Sequence, residues 1–139
     1  MQRKLRYLTW QEFDNAVEHI ANQFKGKATQ IYGMPRGGLC LAVALSHKMG
    51  IPLISVDITT FNDSNLDNVL WVDDVVETGL TLSKFTYPNM YFAAWFCNVK
   101  YIQNISYYEH LEENEWLVFP WEDKTKAIKD MEQYEISRK

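Results

Sequence analysis

The sequence predicts an α/β fold with a mainly parallel sheet flanked by helices. Short apolar runs alternate along the chain with segments whose apolar residues recur at helical spacing, an order typical of strand–helix–strand units. One apolar run, 69–72, ends abruptly in two adjacent carboxylates, Asp73 and Asp74. A polar turn and the start of a helix follow, and open α/β sheets bind ligands at such carboxyl ends of their strands.

Length and composition indicate one globular domain. The chain has 139 residues, 47% of them apolar, which is enough for a proper core. We expect a single domain over 1–139, with its core over about 8–122. The tail over 123–139 mixes charges with apolar residues, a pattern that leaves an amphipathic helix and a frayed end both open.

Charge and hydropathy exclude two classes of partner. The net charge is −4 without a run of Lys or Arg, which disfavours nucleic acid. No apolar stretch reaches the roughly 18 residues that span a bilayer, so we expect no membrane partner. The first residues lack the apolar core of a signal peptide, which predicts a cytoplasmic protein. Cys40 and Cys97 lie in apolar runs and are expected to be buried, reduced thiols.

The first half of the chain predicts two helices and two strands. Thr9 and Glu12 form a capping-box pattern, and the helix that follows is expected to end at Gly26. Apolar residues recur along it at helical spacing: Trp10, Phe13, Val17, Ile20, Ala21 and Phe24. The remaining elements are a strand over 29–32, a helix over 39–49 and a strand over 53–58.

The second half begins with a polar loop over 59–68 and the strand that starts at Val69. We then expect a helix over about 80–86, a strand over 91–97 and a strand around 116–119. The acidic run from Glu109 to Glu115 is expected to be a solvated loop before the last strand.

The turn after residue 76 has the composition of a phosphate site. Glu77 is followed by Thr78, Gly79 and, one residue on, Thr81. Backbone N–H groups, hydroxyls and a helix N-terminus together suit a phosphate. The preceding carboxylates suit ribose hydroxyls and a hard cation such as Mg²⁺. Phosphate donors beside hydroxyl acceptors indicate a ligand that contains ribose 5-phosphate.

These residues resemble a known signature. The segment 69–81 is similar to the phosphoribosyl-pyrophosphate (PRPP) motif of type I phosphoribosyltransferases. The stretch Gly-Met-Pro-Arg-Gly-Gly-Leu at 33–39 resembles the first loop of the bacterial xanthine-guanine enzymes, and Trp-Leu-Val-Phe-Pro-Trp-Glu at 116–122 resembles a segment near their C-terminus. The similarity runs, with gaps, from about residue 8 to 122. It implies the type I phosphoribosyltransferase fold, a twisted, mainly parallel sheet with a reduced hood and flap.

The resemblance implies a set of PRPP-binding residues. Asp73 and Asp74 would grip the ribose 2- and 3-hydroxyls. Two loops would bind the anionic groups of PRPP: Arg36, Gly37 and Gly38 the pyrophosphate, and Thr78, Gly79, Leu80 and Thr81 the 5-phosphate. In the family the peptide bond before the basic residue of the pyrophosphate loop is often cis.

The resemblance also implies base-binding residues. Glu77 stands where 6-oxopurine enzymes carry an Asp near purine N7, a position suited to general acid/base work. Trp116 would stack on the purine, and the backbone of Leu117 would meet its edge. The family places a Lys after the strand at 91–97. The aligned residue here is Asn98, and Lys100, two residues on, is the candidate replacement.

The implied protein is a purine salvage enzyme. It would transfer phosphoribosyl from PRPP to guanine, xanthine or hypoxanthine and release pyrophosphate, with Mg²⁺ near Asp74 and Glu122, as a homodimer or homotetramer. The family's long flap is shortened at 59–68, and a lid excludes water from a reaction. Two alternatives therefore stay open: a nucleotide-binding regulator of the same fold, and a phosphoribosyltransferase for another base.

Overall fold

The computed structural model describes residues 3–55, 67–77, 90–98 and 105–137. In chain order the elements are β1 (Lys4–Tyr7), α1 (Trp10–Phe24), β2 (Gln30–Gly33), α2 (Gly38–Met49), β3 (Val69–Val76), β4 (Tyr91–Cys97), β5 (Ser106–His110), β6 (Glu115–Val118) and α3 (Lys124–Ser137). They form two compact units. A terminal unit comprises Met1–Asp14 and Glu112–Lys139, and a central unit comprises Asn15–Leu111.

The central unit contains a four-stranded parallel sheet in the order β2-β3-β4-β5. The register pairs Gly33 with Val72, Val76 with Cys97 and Cys97 with His110. All four strands therefore end at the same edge of the sheet. The predicted α/β class with a parallel sheet is confirmed.

Strand β3 is the buried centre of this unit. Val69, Leu70, Trp71 and Val72 are at most 1% exposed, as expected for a parallel strand that is covered on both faces. On one face Trp71 packs with Tyr32, their ring centroids 4.6 Å apart, and with Val69 and Met34. This packing fixes the position at which the strand delivers its two carboxylates.

Helix α2 lies close against the sheet because two glycines lack a side chain. A Cβ on Gly33 would lie 2.7 Å from the Cβ of Ala42, and a Cβ on Gly38 would overlap the Val72 carbonyl oxygen. The loop between β2 and α2 is thereby held at the carboxyl edge of the sheet.

The terminal unit pairs β1 with β6 in parallel, with Leu5 opposite Trp116. Helix α3 buries Ala127 and Met131. The capping box at α1 is confirmed, since the Glu12 N–H donates to Thr9 Oγ1 at 3.1 Å and the Thr9 N–H donates to Glu12 Oε1 at 3.2 Å. An aromatic cluster joins Trp10, Phe13, Phe119 and Trp121.

Several sequence expectations were wrong or incomplete. Strands β1 and β5 were not predicted, because both are short and carry charged or half-buried side chains rather than an apolar run. The acidic run from Glu109 to Glu115 is not a single loop, since its first residue lies in β5 and its last in β6. A strand was expected over 53–58. Within its described part, 53–55, the structure has one β-bridge, between Leu53 and Ile31.

The remaining expectations divide between confirmed and untested. The tail is helical as α3, which resolves the alternatives left open for it. Cys97 is buried as expected, whereas Cys40 is only half-buried, and both are free thiols. The helix expected over 80–86 lies outside the described residues. No helix in the described part of the chain is both long and apolar enough to cross a bilayer.

Candidate functional site

Backbone hydrogen bonds hold the loop between β2 and α2 in place. The Met34 N–H donates to the Val72 carbonyl at 2.8 Å, and the Gly38 N–H donates to the Met34 carbonyl at 2.8 Å. The Pro35–Arg36 peptide bond is cis, as the resemblance implies. Arg36 is exposed at the turn. The loop thus presents one guanidinium and closely approachable backbone, a combination suited to an anion.

Gly37 brings the loop against Asp73 and Asp74, which lie within β3. A side chain on Gly37 would overlap the carboxylate of Asp74. A Cβ on Gly38 would lie 3.0 Å from the Cα of Asp73. Residues that lie far apart in the sequence, predicted separately to bind pyrophosphate and ribose, are therefore neighbours at one edge of the sheet.

Asp73 and Asp74 are half-buried and adjacent. The Asp74 N–H donates to Asp73 Oδ1 at 2.8 Å, and the Val75 N–H donates to Asp74 Oδ1 at 2.7 Å. Burial raises the pKa of Asp73 to about 8, and a side-chain hydrogen bond with Asp74 and the charge of that carboxylate add to the effect. Burial next to a second carboxylate therefore favours the protonated form of Asp73 in the ligand-free protein.

A ligand with hydroxyl groups suits this pair. Hydroxyl donors stabilise carboxylates, as does a cation, and either would offset the repulsion between two ionised acids. Within the described ranges no group of three or more His, Cys, Asp or Glu residues could hold a metal ion. A cation at this position would therefore share its coordination between carboxylate and ligand oxygens, as Mg²⁺ commonly does.

The ends of β3 and β4 place two further polar residues side by side. The Asn98 N–H donates to the Val76 carbonyl at 3.0 Å, which continues the strand pairing beyond Cys97. Asn98 therefore lies opposite Glu77, which is exposed. The sequence placed Asn98 only by alignment, and the register now shows that it neighbours the predicted acid/base residue.

Cys40 is a residue near the site that sequence reasoning did not connect to it. Burial raises the pKa of its thiol, and the Asp74 carboxylate raises it further. Its position two residues after the paired glycines was the available signal, because the first turn of α2 follows the loop directly.

The predicted residues of the terminal unit have structural neighbours there. Trp116 packs on Tyr134 of α3, with ring centroids 5.4 Å apart at 51°. Leu117 pairs with Arg6 in the strand register. Glu122 accepts a hydrogen bond from the Phe119 N–H at 3.0 Å. These contacts neither require nor oppose ligand roles, so their base-binding and metal-binding assignments stay predictions. Lys100 lies outside the described residues. So does the predicted phosphate turn, which comprises Thr78, Gly79, Leu80 and Thr81.

The fold has known counterparts among solved structures. A purine phosphoribosyltransferase from Pyrococcus horikoshii is similar at 31% identity and a TM-score of 0.69, over 86% of this chain and 95% of that one. A xanthine-guanine-hypoxanthine phosphoribosyltransferase from Helicobacter pylori gives 18% identity and a TM-score of 0.71, over 91% and 99%. Below 25% identity, that likeness concerns the fold alone.

A third comparison shows how far the fold extends. An orotate phosphoribosyltransferase from Aeropyrum pernix gives 18% identity and a TM-score of 0.53, over 71% of this chain and 68% of that one. The fold is therefore shared by enzymes named for different bases. Neither a protein-family model nor a curated protein matches the sequence.

The raised pKa of Asp73 predicts how stability depends on pH. The unfolded chain loses this proton near pH 3.8 and the folded chain near pH 8, so the group's contribution is present below pH 3.8 and is lost as the pH rises to about 8. Asp73→Asn removes the titration. Urea unfolding with a chelator present should find the variant and the parent nearly equal at pH 4, and the variant more stable at pH 8. A stability difference that does not change with pH would contradict this.

Proposed function

Since this chain belongs to the type I phosphoribosyltransferase family, we propose that it transfers the phosphoribosyl group of PRPP to a 6-oxopurine and releases pyrophosphate. The observation that carries the proposal is the contact between Gly37 and the Asp74 carboxylate. It joins the proposed pyrophosphate loop to the proposed ribose-binding acids, two of the recognition elements that PRPP requires. The base would be guanine, xanthine or hypoxanthine.

The choice of a purine rests on two supports. The Pyrococcus horikoshii protein, at 31% identity, is named a purine phosphoribosyltransferase. Glu77 supplies an acid directly after β3, where it can exchange a proton with a purine ring nitrogen. An acid at this position also distinguishes the chain from the orotate-type and adenine-type signatures, which usually lack one.

The proposed reaction is a displacement at C1′ of the ribose. A purine ring nitrogen, N9, forms a bond to C1′, and the bond from C1′ to the pyrophosphate oxygen breaks with its electron pair on the oxygen. Glu77 accepts the proton that the base loses. Asp73 and Asp74 hold the ribose hydroxyls, and Arg36 with the Gly37 and Gly38 amides holds the pyrophosphate. The contribution of these groups is positioning and charge stabilisation.

We propose Mg²⁺ as the cofactor. The half-buried acid pair fits it, because a divalent cation would compensate the second negative charge that PRPP binding requires there. Asp74 is the proposed protein ligand within the central unit. When bound, Mg²⁺ would neutralise charge on the leaving pyrophosphate.

We propose in addition a cytoplasmic homodimer or homotetramer. Helix α2 is apolar around most of its circumference, and Leu39 and Val43 on its outer side are 42% and 43% exposed. Such a surface is typical of a helix that packs against another protein surface.

Arg36 should distinguish PRPP from the nucleotide product. The product lacks pyrophosphate, so Arg36→Ala should weaken PRPP binding by roughly 10–100-fold, the loss of a charge-assisted hydrogen bond or two, and leave nucleotide affinity nearly unchanged. Titration calorimetry measures both constants. Lys48→Ala, which removes an exposed cation further along α2, is the matched control and should change neither. Equal losses for both ligands in Arg36→Ala would show that Arg36 is structural.

Glu77 should set the rate rather than the affinity. Proton transfer with the base peaks at the transition state, and such assistance is typically worth about 10²–10⁴-fold. Glu77→Gln keeps the shape and removes the charge, so kcat for nucleotide formation should fall within that range while PRPP affinity changes little. Glu77→Asp should retain much of the activity.

The control for this experiment is Glu112→Gln, which alters an exposed acid of the terminal unit and should leave kcat unchanged. The proposed role is refuted if Glu77→Gln turns over as fast as the parent enzyme. It is also refuted if kcat and PRPP affinity fall together by the same factor, since that would place Glu77 in substrate binding.

A further inference from the structure

We propose that the central unit has a second ligand site, for a small molecule that combines a flat aromatic ring with one carboxylate. The site is a pocket of about 570 Å³ between the end of α1 and the beginnings of β4 and β5, called here the amino-edge pocket. Small-molecule sites commonly have volumes of roughly 300–1,000 Å³. The pocket is lined by Gln23, Phe24, Lys27, Met90, Tyr91, Phe92, Ile105 and Ser106.

The amino-edge pocket lies at the opposite edge of the sheet from the acid pair. Tyr91 begins β4 and Ser106 begins β5, whereas Asp73 and Asp74 lie in the second half of β3. These strands are parallel, so the beginnings of β4 and β5 share the edge away from the loop between β2 and α2. At about 3.3 Å per residue, β4 extends about 20 Å from one edge to the other. The pocket is therefore separate from the site proposed for PRPP.

Aromatic and aliphatic side chains form the walls of the pocket. The rings of Phe24 and Tyr91 lie with their centroids 5.5 Å apart at 57°. Met90 and Phe92 pack against the buried cluster that contains Trp71. Met90, Tyr91 and Phe92 are only partly buried, so each keeps some apolar surface in contact with solvent. A flat aromatic ring that enters the pocket would cover this surface.

The lining carries one positive charge. Gly26, with a φ of 77°, follows α1 in the left-handed conformation that favours glycine. The Lys27 N–H then donates to the Phe24 carbonyl at 3.0 Å, which holds Lys27 beside the aromatic wall. Lys27 is exposed and forms no salt bridge with any residue that the structure describes. Since no acid lines the pocket, its charge is complementary to a single anionic group.

Gln23 and Ser106 supply neutral hydrogen-bonding groups. The Ser106 hydroxyl donates to Gln23 Oε1 and so joins the end of α1 to the beginning of β5. The side-chain N–H groups of Gln23 have no acceptor in the described part of the chain and can donate to a carboxylate. One ammonium and one amide donor beside aromatic walls therefore match an aromatic carboxylate.

NMR titration of the ¹⁵N-labelled protein with 2-naphthoate tests this site. We expect the amide signals of Lys27, Tyr91 and Ser106 to shift, while those of Gly37 and Asp74 stay in place. The affinity should be the same with and without saturating pyrophosphate and Mg²⁺, because the carboxyl edge is not involved. The neutral analogue 2-naphthamide should bind about 3–10-fold more weakly, since it loses the attraction of an exposed ammonium for a carboxylate.

A pair of charge reversals provides the matched control. Lys27→Glu should weaken 2-naphthoate about 10-fold, because a repelling charge replaces an attracting one, and should leave 2-naphthamide nearly unchanged. Lys25→Glu makes the same change at a neighbouring exposed position outside the lining and should alter neither affinity. The net charge of −4 disfavours general attraction of anions, so a loss confined to Lys27→Glu identifies the pocket.

Four results would overturn the inference: no shift at the amino-edge signals, shifts confined to the carboxyl edge, equal losses of affinity in the two lysine variants, or equal affinities for 2-naphthoate and 2-naphthamide. A fifth is an oligomer that Lys27→Glu dissociates and Lys25→Glu does not, measured by sedimentation, since the pocket would then be an interface between copies of this chain. None of these measurements uses PRPP turnover, so this site and the proposed function can fail separately.

Discussion

The repulsion between Asp73 and Asp74 is the constraint on which the rest of the site depends. The four residues before them are fully buried, so β3 cannot shift to separate the acids or move them into water. The free protein accommodates the pair by retaining a proton on Asp73, whose pKa burial and the neighbouring carboxylate raise to about 8. The pair is therefore less favourable in the free protein than beside a ligand that brings hydroxyl groups and positive charge.

The sheet and the loops around the acids follow from this constraint. Gly37 has no side chain because the Asp74 carboxylate occupies that space, and Gly38 has none because the backbone of β3 does. These two glycines let the start of α2 approach β3 and bring Arg36 to the same edge. The close approach of the two acids lowers the stability of the free protein. Proteins concentrate such unfavourable arrangements at functional sites. The hydrophobic packing of β3 against Tyr32 and Met34 holds the arrangement in place.

Local patterns were enough to predict part of the fold and the segments that meet at the carboxyl edge of the sheet. The capping box of α1, the buried strand β3 and the helix after the paired glycines could be read from periodicity and composition alone. Strands β1 and β5 could not, because their pairing partners supply the burial that their own sequences do not show. The acid motif suggested a ligand because its residues are contiguous along the chain.

The sequence could not predict the register in which the strands pair. The contact of Gly37 with Asp74 and the pairing of Asn98 with Val76 both join segments separated by loops, whose alignment depends on strand pairing. The same holds for Trp116, whose neighbour Tyr134 lies on a helix that the sequence left ambiguous. The arrangement of this edge of the sheet is therefore a property of neighbouring strands rather than of one motif.

We propose that this edge of the sheet supports the transfer of a phosphoribosyl group from PRPP to a purine. The most direct measurement is ³¹P NMR of the protein with PRPP, Mg²⁺ and hypoxanthine, followed over time. We expect the signals of PRPP to be replaced by those of a nucleoside monophosphate and free pyrophosphate in equal amounts. PRPP that binds the protein but stays intact with every purine supplied would contradict the proposed transfer and favour a nucleotide-binding regulator with the same fold.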